Sequence, residues 1–139
     1  MNGNIIPPIY ADNMCHSNTR INRKNAYKHL NLKIVGGGLG LGGWFEFGGK
    51  DWKLKDYLKK PTDIHFWLED DEGRVYDYIQ PSWNWVANIR GVYSKFPNVE
   101  IKGMSKADIK RLYKIEYAPA EEVVYKVCYK KIMGVGVDE

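Results

Sequence analysis

The sequence predicts an α+β domain whose sheet is antiparallel. Three observations point there. After Asp12 and Asn13, the residues Met14, Cys15, Asn18, Ile21, Asn22, Ala26 and Leu30 recur at helical spacing. Residues 64–69 and 74–79 are apolar-rich and flank Asp70-Asp71-Glu72-Gly73, a strong hairpin signal. Ser105, followed three residues later by Asp108, marks a helix start ahead of Ile109 and Leu112. The 139 residues suit a single domain, 1–139, with 1–11 an irregular arm around Pro7 and Pro8.

In order along the chain, Asp12 or Asn13 caps the first helix through a side-chain oxygen. Arg20, Arg23, Lys24 and Lys28 suit the negative pole at its far end, and Asn31 closes it. Residues 32–35 read as a short strand, and the glycine-dense stretch 36–43 as a flexible loop or tight crossover. Residues 44–47 read as another strand, stopped by Gly48-Gly49. Residues 51–60 are a mixed-charge helical turn or surface loop ended by Pro61. After the hairpin, Pro81 opens a helix carrying Trp85, Ile89 and Val92, which Pro97 ends. Residues 99–101 are a brief strand, and the helix begun at Ser105 buries Ile109, Leu112 and Ile115. Beyond the break at Pro119, residues 120–133 are a last helix or, given their Val and Tyr content, a strand. As a helix this segment offers two neighbouring stripes, Val123, Val127 and Lys131, or Val124, Cys128 and Ile132.

Composition narrows the function classes. Hydrophobic residues at 44% and charged residues at 27% support a packed core and exclude wholesale disorder. Lys and Arg total 21 against 17 Asp and Glu, and the net +4 is too small to indicate nucleic-acid binding alone. No apolar run approaches the roughly 18 residues of a membrane span, and the first residues lack a basic-then-apolar leader. Membrane anchoring and classical secretion are disfavoured. Two cysteines, Cys15 and Cys128, make no disulfide framework, so an intracellular, reducing setting is expected.

The chemistry centres on three residues. His65 begins an apolar strand, where a surface histidine is out of place, whereas His29 sits at the basic end of a helix, where exposure is ordinary. If the hairpin closes over three or four residues near Asp71, His65 falls opposite Asp77 or one residue from it. Directly opposite, Asp77 accepts a hydrogen bond from the imidazole and fixes its tautomer; a one-residue slip removes that contact. The bland alternative is a polar pair on an exposed face. Cys15 is either a small buried hydrophobe or a thiol activated by the dipole and free N–H groups of a helix start. A thiolate there, a histidine beside it and an orienting carboxylate are what attack on a carbonyl carbon requires. The same N–H groups can hold the oxyanion. Cys128, in an apolar and aromatic stretch, reads as a core thiol.

The pattern Cys15-His16-Ser17-Asn18, then Val35-Gly36-Gly37, then His65-Phe66-Trp67 with a hairpin returning to Asp77, resembles the papain-like and transglutaminase-like thiol-enzyme superfamily. It is most similar to small, mostly uncharacterised bacterial and viral members. The resemblance spans about residues 12–84. It implies a papain-like core with the Cys-bearing helix packed on the sheet and further helices C-terminal to it. It further implies Cys15 as nucleophile, His65 as general base and acid, and Asp77 as the orienting carboxylate. Asn18, one turn beyond Cys15, supports the site or contacts substrate, and Trp67 either walls the cleft or is a core aromatic. Phe66 and Tyr78 depart from the pattern and leave the substrate open. The expected activity is a hydrolase or acyl transferase acting on an amide or ester of a peptide, protein or other acyl donor, with no metal or organic cofactor.

The residues allow three other readings. Gly38-Leu39-Gly40-Leu41-Gly42-Gly43 matches GxGxxG, but strand-like Trp44-Phe45-Glu46-Phe47 follows where a phosphate-binding helix should start. Cys15, His16, His65 and Asp77 are able zinc ligands, yet adjacent residues 15 and 16 splay about 100° apart on a helix. The third is a non-catalytic binding module. It would present Trp44, Trp52, Trp83 and Trp85 with Arg20, Arg23, Lys24, Lys59 and Lys60 to a protein or single-stranded nucleic acid.

Overall fold

The computed structural model describes residues 8, 14–42, 44–79, 86–89, 92–95 and 98–138, with the backbone alone at 44, 86–89 and 92–95. The architecture is α+β, with an antiparallel sheet and, among the described residues, four helices. The elements are α1 Cys15–Lys24, β1 Lys33–Leu41, β2 Trp44–Phe47, α2 Leu54–Lys59, β3 His65–Glu69 and β4 Val75–Ile79. They continue with β5 Val86–Ile89, β6 Val92–Lys95, β7 Val99–Met104, α3 Lys106–Tyr113, β8 Ile115–Pro119 and α4 Glu122–Met133. Every pairing is antiparallel: β1 with β2, β3 and β8, then β3 with β4 and β4 with β7, while β5 and β6 form a separate hairpin. Among the described residues no helix is long and apolar enough to cross a membrane.

Several expectations change. The glycine stretch is not a loop: Gly36, Gly37, Gly38 and Gly40 lie inside β1, the longest strand. Missing side chains are what the packing requires there. A Cβ on Gly36 would lie 2.6 Å from the Phe66 ring and 2.9 Å from Cβ of Tyr125. On Gly37 it would sit 2.3 Å from the Ala118 carbonyl oxygen, in backbone that cannot swing aside. Gly37→Ala is therefore expected to cost about 3 kcal/mol, the upper end of ordinary overpacking, measured by chemical denaturation. The first helix ends at Lys24 with Asn25 as its C-cap, not at Asn31, because the chain turns to bury Tyr27 against Tyr76, ring centroids 5.2 Å apart. Its start is Cys15 and its N-cap is Met14, with no side-chain cap, in place of the expected Asp12 or Asn13. Those two lie outside the described residues, as do most of the N-terminal arm and residues 80–85. The expected helix over Ile89 and Val92 is instead the β5–β6 hairpin.

The C-terminal third also differs. Ser105 caps α3 as expected, its Oγ accepting the Asp108 N–H at 3.1 Å. Ile109 is buried, but Leu112 is 55% exposed, and Ile115 is buried in β8 and not on the helix. Residues 122–133 are helical, and the buried stripe of α4 carries Val124 and Cys128, leaving Val123 58% exposed.

One face of the sheet gathers Val35, Leu39, His65, Trp67, Glu69, Val75, Asp77, Ile101 and Tyr117, all buried. The other face takes α4, where Phe66 meets Tyr129 edge to face at 5.2 Å. The Tyr117 hydroxyl on β8 reaches Asp77 on β4 at 2.7 Å. Three strand steps separate them, about 14 Å if the sheet were flat. The sheet is thus curled around its buried polar face.

Candidate active site

The hairpin turn sets the register of the site. Gly73 holds a left-handed φ of 79°, its N–H donates to the Asp70 carbonyl, and the Asp70 N–H donates to the Arg74 carbonyl. The loop is therefore Asp71-Glu72-Gly73, a three-residue connection centred on Glu72. The loop has the expected length near Asp71, but it is centred one residue beyond the position that would set His65 opposite Asp77. Glu69 pairs with Val75 and Leu68 with Tyr76, so the continued register sets Asp77 level with Trp67, two residues from His65. The shift is even, so Asp77 stays on the face of His65 and reaches it diagonally. His65 Nε2 and Asp77 Oδ2 lie 2.7 Å apart, both groups almost wholly buried.

The same hairpin makes room for the cysteine. Among the described residues β3 and β4 pair only at these two levels and part towards His65. The start of α1 reaches this opening. The Cys15 sulfur is hydrogen-bonded by the side chains of His65 and His16 and by the backbone N–H of Phe66. With Nε2 committed to Asp77, Nδ1 is the ring nitrogen that faces the thiol. Cys15, His65 and Asp77 stand in a row.

Electrostatics divide charge along that row. Burial pushes the Cys15 thiol up, but hydrogen bonds from His16 and His65, the His65 charge and the Phe66 N–H outweigh it, bringing the pKa from 9.0 to about 6. Burial also disfavours the charged form of His65. The Asp77 carboxylate, then the Cys15 sulfur, overcome this and raise it from 6.5 to about 10. Between those values the resting state is a thiolate–imidazolium pair. Tyr117, pushed well above 10.0 by burial and then by Asp77, stays protonated and donates to the carboxylate. Cys128 is a contrast: buried, with its pKa raised by burial, it is an inert core thiol.

A cleft of about 260 Å³ opens onto Cys15 and His65, with Met14, His16, Asn18, Phe47, Ile64, Tyr78 and Ile132 on its walls. Asn18 is thus at the cleft, one turn from Cys15. Trp67 does not wall it. At 0% exposure it is a core aromatic, because the sheet face it shares with His65 is the curled interior. It still serves the site: its ring stacks near-parallel on His65 at 6.0 Å, a position that favours the imidazolium. Glu69 accepts the Trp67 Nε1–H at 2.7 Å and pairs with Lys106 at 3.0 Å, fixing the indole.

Two participants escaped the sequence. His16 was expected to point away from Cys15, yet its side chain turns back onto the sulfur. Tyr117 lay in a segment with no assigned strand, although the alternation Ile115-x-Tyr117 before Pro119 is a strand signal. Of the surface imagined for binding, Trp52 is packed edge-on against Tyr57 at 5.0 Å, and Trp83 and Trp85 lie outside the described residues. Among the described residues no group of three or more His, Cys, Asp or Glu is arranged to hold a metal ion.

Comparison with protein-family models, with curated proteins and with solved structures gave no match.

Proposed function

We propose that this chain is a thiol enzyme of papain-like or transglutaminase-like type, a hydrolase or acyl transferase. The observation that carries the reading is the row itself. A half-buried thiol at a helix start meets one nitrogen of a buried imidazole whose other nitrogen is held by a carboxylate, and all this faces a cleft. A core cysteine has no use for such partners, and a structural His–Asp pair has none for a thiol.

The chemistry follows from the charges. The Cys15 thiolate attacks the carbonyl carbon of an amide or ester, and the π pair moves to oxygen. The His65 imidazolium gives its proton to the departing amine or alcohol, leaving a thioester on Cys15 and a neutral ring. His65 then takes a proton from water or an acceptor amine as that group attacks the thioester, and the thiolate leaves. Asp77 keeps the ring oriented throughout, and Tyr117 keeps Asp77 oriented.

Iodoacetamide tests this without a known substrate. Cys15 is expected to be alkylated well ahead of Cys128, with a rate that rises as pH passes through about 6, far below the 9.0 of an ordinary thiol. Mass spectrometry of the two cysteine peptides reads both quantities. Equal labelling of the cysteines, or a midpoint near 9.0, would sink the reading.

A further inference from the structure

The proposed reaction needs donors for the oxyanion, and α1 supplies backbone N–H groups: its first turn has no acidic residue, and its N-cap makes no side-chain hydrogen bond. A second donor stands beside them. Resting on the thiol-enzyme reading, we infer that the His16 imidazole N–H is the side-chain donor to the oxyanion formed at Cys15.

Position argues for it. His16 lies on the cleft wall together with Cys15 and His65, so a carbonyl oxygen entering from the cleft meets it. The Phe66 N–H also acts on the sulfur, but Phe66 is wholly buried and absent from the cleft wall. His65 is engaged with Asp77 and carries the proton for the leaving group. The backbone of His16 is held in place: its carbonyl accepts the Thr19 hydroxyl at 2.9 Å and the Tyr129 hydroxyl at 3.4 Å.

The charge movement gives the ring its task. At rest the side chain of His16 hydrogen-bonds the sulfur. As the S–C bond forms, the sulfur loses its negative charge and the carbonyl oxygen, two bonds away, gains it. A donor already aimed at the thiolate follows that charge with a small ring rotation, whereas bulk water would have to reorganise. When the tetrahedral intermediate collapses, the oxygen pair re-forms the carbonyl, the C–N or C–O bond breaks, and the leaving group departs with the His65 proton.

An apolar aldehyde, N-acetyl-phenylalaninal, separates this role from activation of the sulfur. The thiolate adds to its carbonyl carbon to give a tetrahedral hemithioacetal whose oxygen occupies the oxyanion position. Iodoacetamide instead alkylates through its CH2 carbon with loss of iodide, and no oxyanion forms. His16→Ala is expected to weaken aldehyde binding by about 100-fold or more. Its iodoacetamide labelling should still favour Cys15 over Cys128, with a rate that falls far less than the aldehyde affinity. His16→Gln retains an N–H donor and should recover part of the aldehyde affinity, with thermal midpoints confirming that both variants are folded. The inference is overturned if His16→Ala binds the aldehyde as tightly as wild type, or if His16→Gln is no better than His16→Ala. It is also overturned if wild type does not bind the aldehyde. In the first two cases preferential Cys15 alkylation leaves the thiol-enzyme reading standing; loss of that preference in wild type brings down both.

Discussion

His65→Ala is expected to abolish the selective reactivity of Cys15. Without the ring, the sulfur loses a hydrogen bond and its counter-charge, while burial continues to oppose ionisation. The pKa returns towards 9.0, so at pH 7 the thiolate fraction falls by about 100-fold, and alkylation falls with it. Acyl transfer should fall further, because the same ring protonates the leaving group, a contribution of about 10²–10⁴. The combined loss in turnover is about 10⁴-fold or more, and labelling of Cys15 should drop to the level of Cys128. A turnover assay on an ester that wild type cleaves, run beside the alkylation assay, separates the two effects. A variant that still labels Cys15 first would show that the sulfur owes its reactivity to the helix start and His16 alone.

Asp77→Ala is expected to have the largest effect on stability. The His65–Asp77 pair is buried, and removing one partner strands a cation with its proton unshared, at a cost of about 3–5 kcal/mol. The Tyr117 hydroxyl loses its acceptor in the same step. The pH dependence has a definite sign. The folded pKa of His65 is raised from 6.5 to about 10, so its contribution is complete below 6.5 and is lost as pH rises through about 10. The wild-type advantage over Asp77→Ala should therefore be greatest in mildly acid solution and shrink towards pH 10. Urea unfolding at several pH values measures it. A difference that grows with pH would mean that the ring is neutral in the folded protein. The variant should also lose turnover, since nothing then holds the ring against the sulfur.

Residue chemistry with a local cause was legible in the chain. Asp70 to Gly73 announced the hairpin, Ser105 announced α3, and His65 and Asp77 were legible as a pair because a hairpin links them over twelve residues. Even there the register was off by an even number of residues. The identity of the left-handed glycine, Gly73, was the local signal that fixes it. That Cys15 lies near the start of a helix was readable from the spacing that follows it, although the cap expected at Asp12 or Asn13 falls on Met14.

The failures share one cause. Gly36 and Gly37 look like loop residues because a lone strand does not call for glycine; the bulk that excludes a side chain there comes from Phe66, Tyr125 and the backbone of residues 118–120. Tyr117 serves Asp77 from forty residues away, and nothing in either neighbourhood announces it. The side chain of His16 turns back to the sulfur in a cleft whose other wall includes Ile132, from the far end of the chain.

The sequence alone determined which side chains are capable of acid, base and nucleophilic work, and the α+β alternation that carries them, because residue type, capping and turn chemistry are local properties. The tertiary structure decided their partners. Proton affinity is set by what is within a few ångströms, and here that neighbourhood is assembled by sheet curl and by strands parting to admit a helix end.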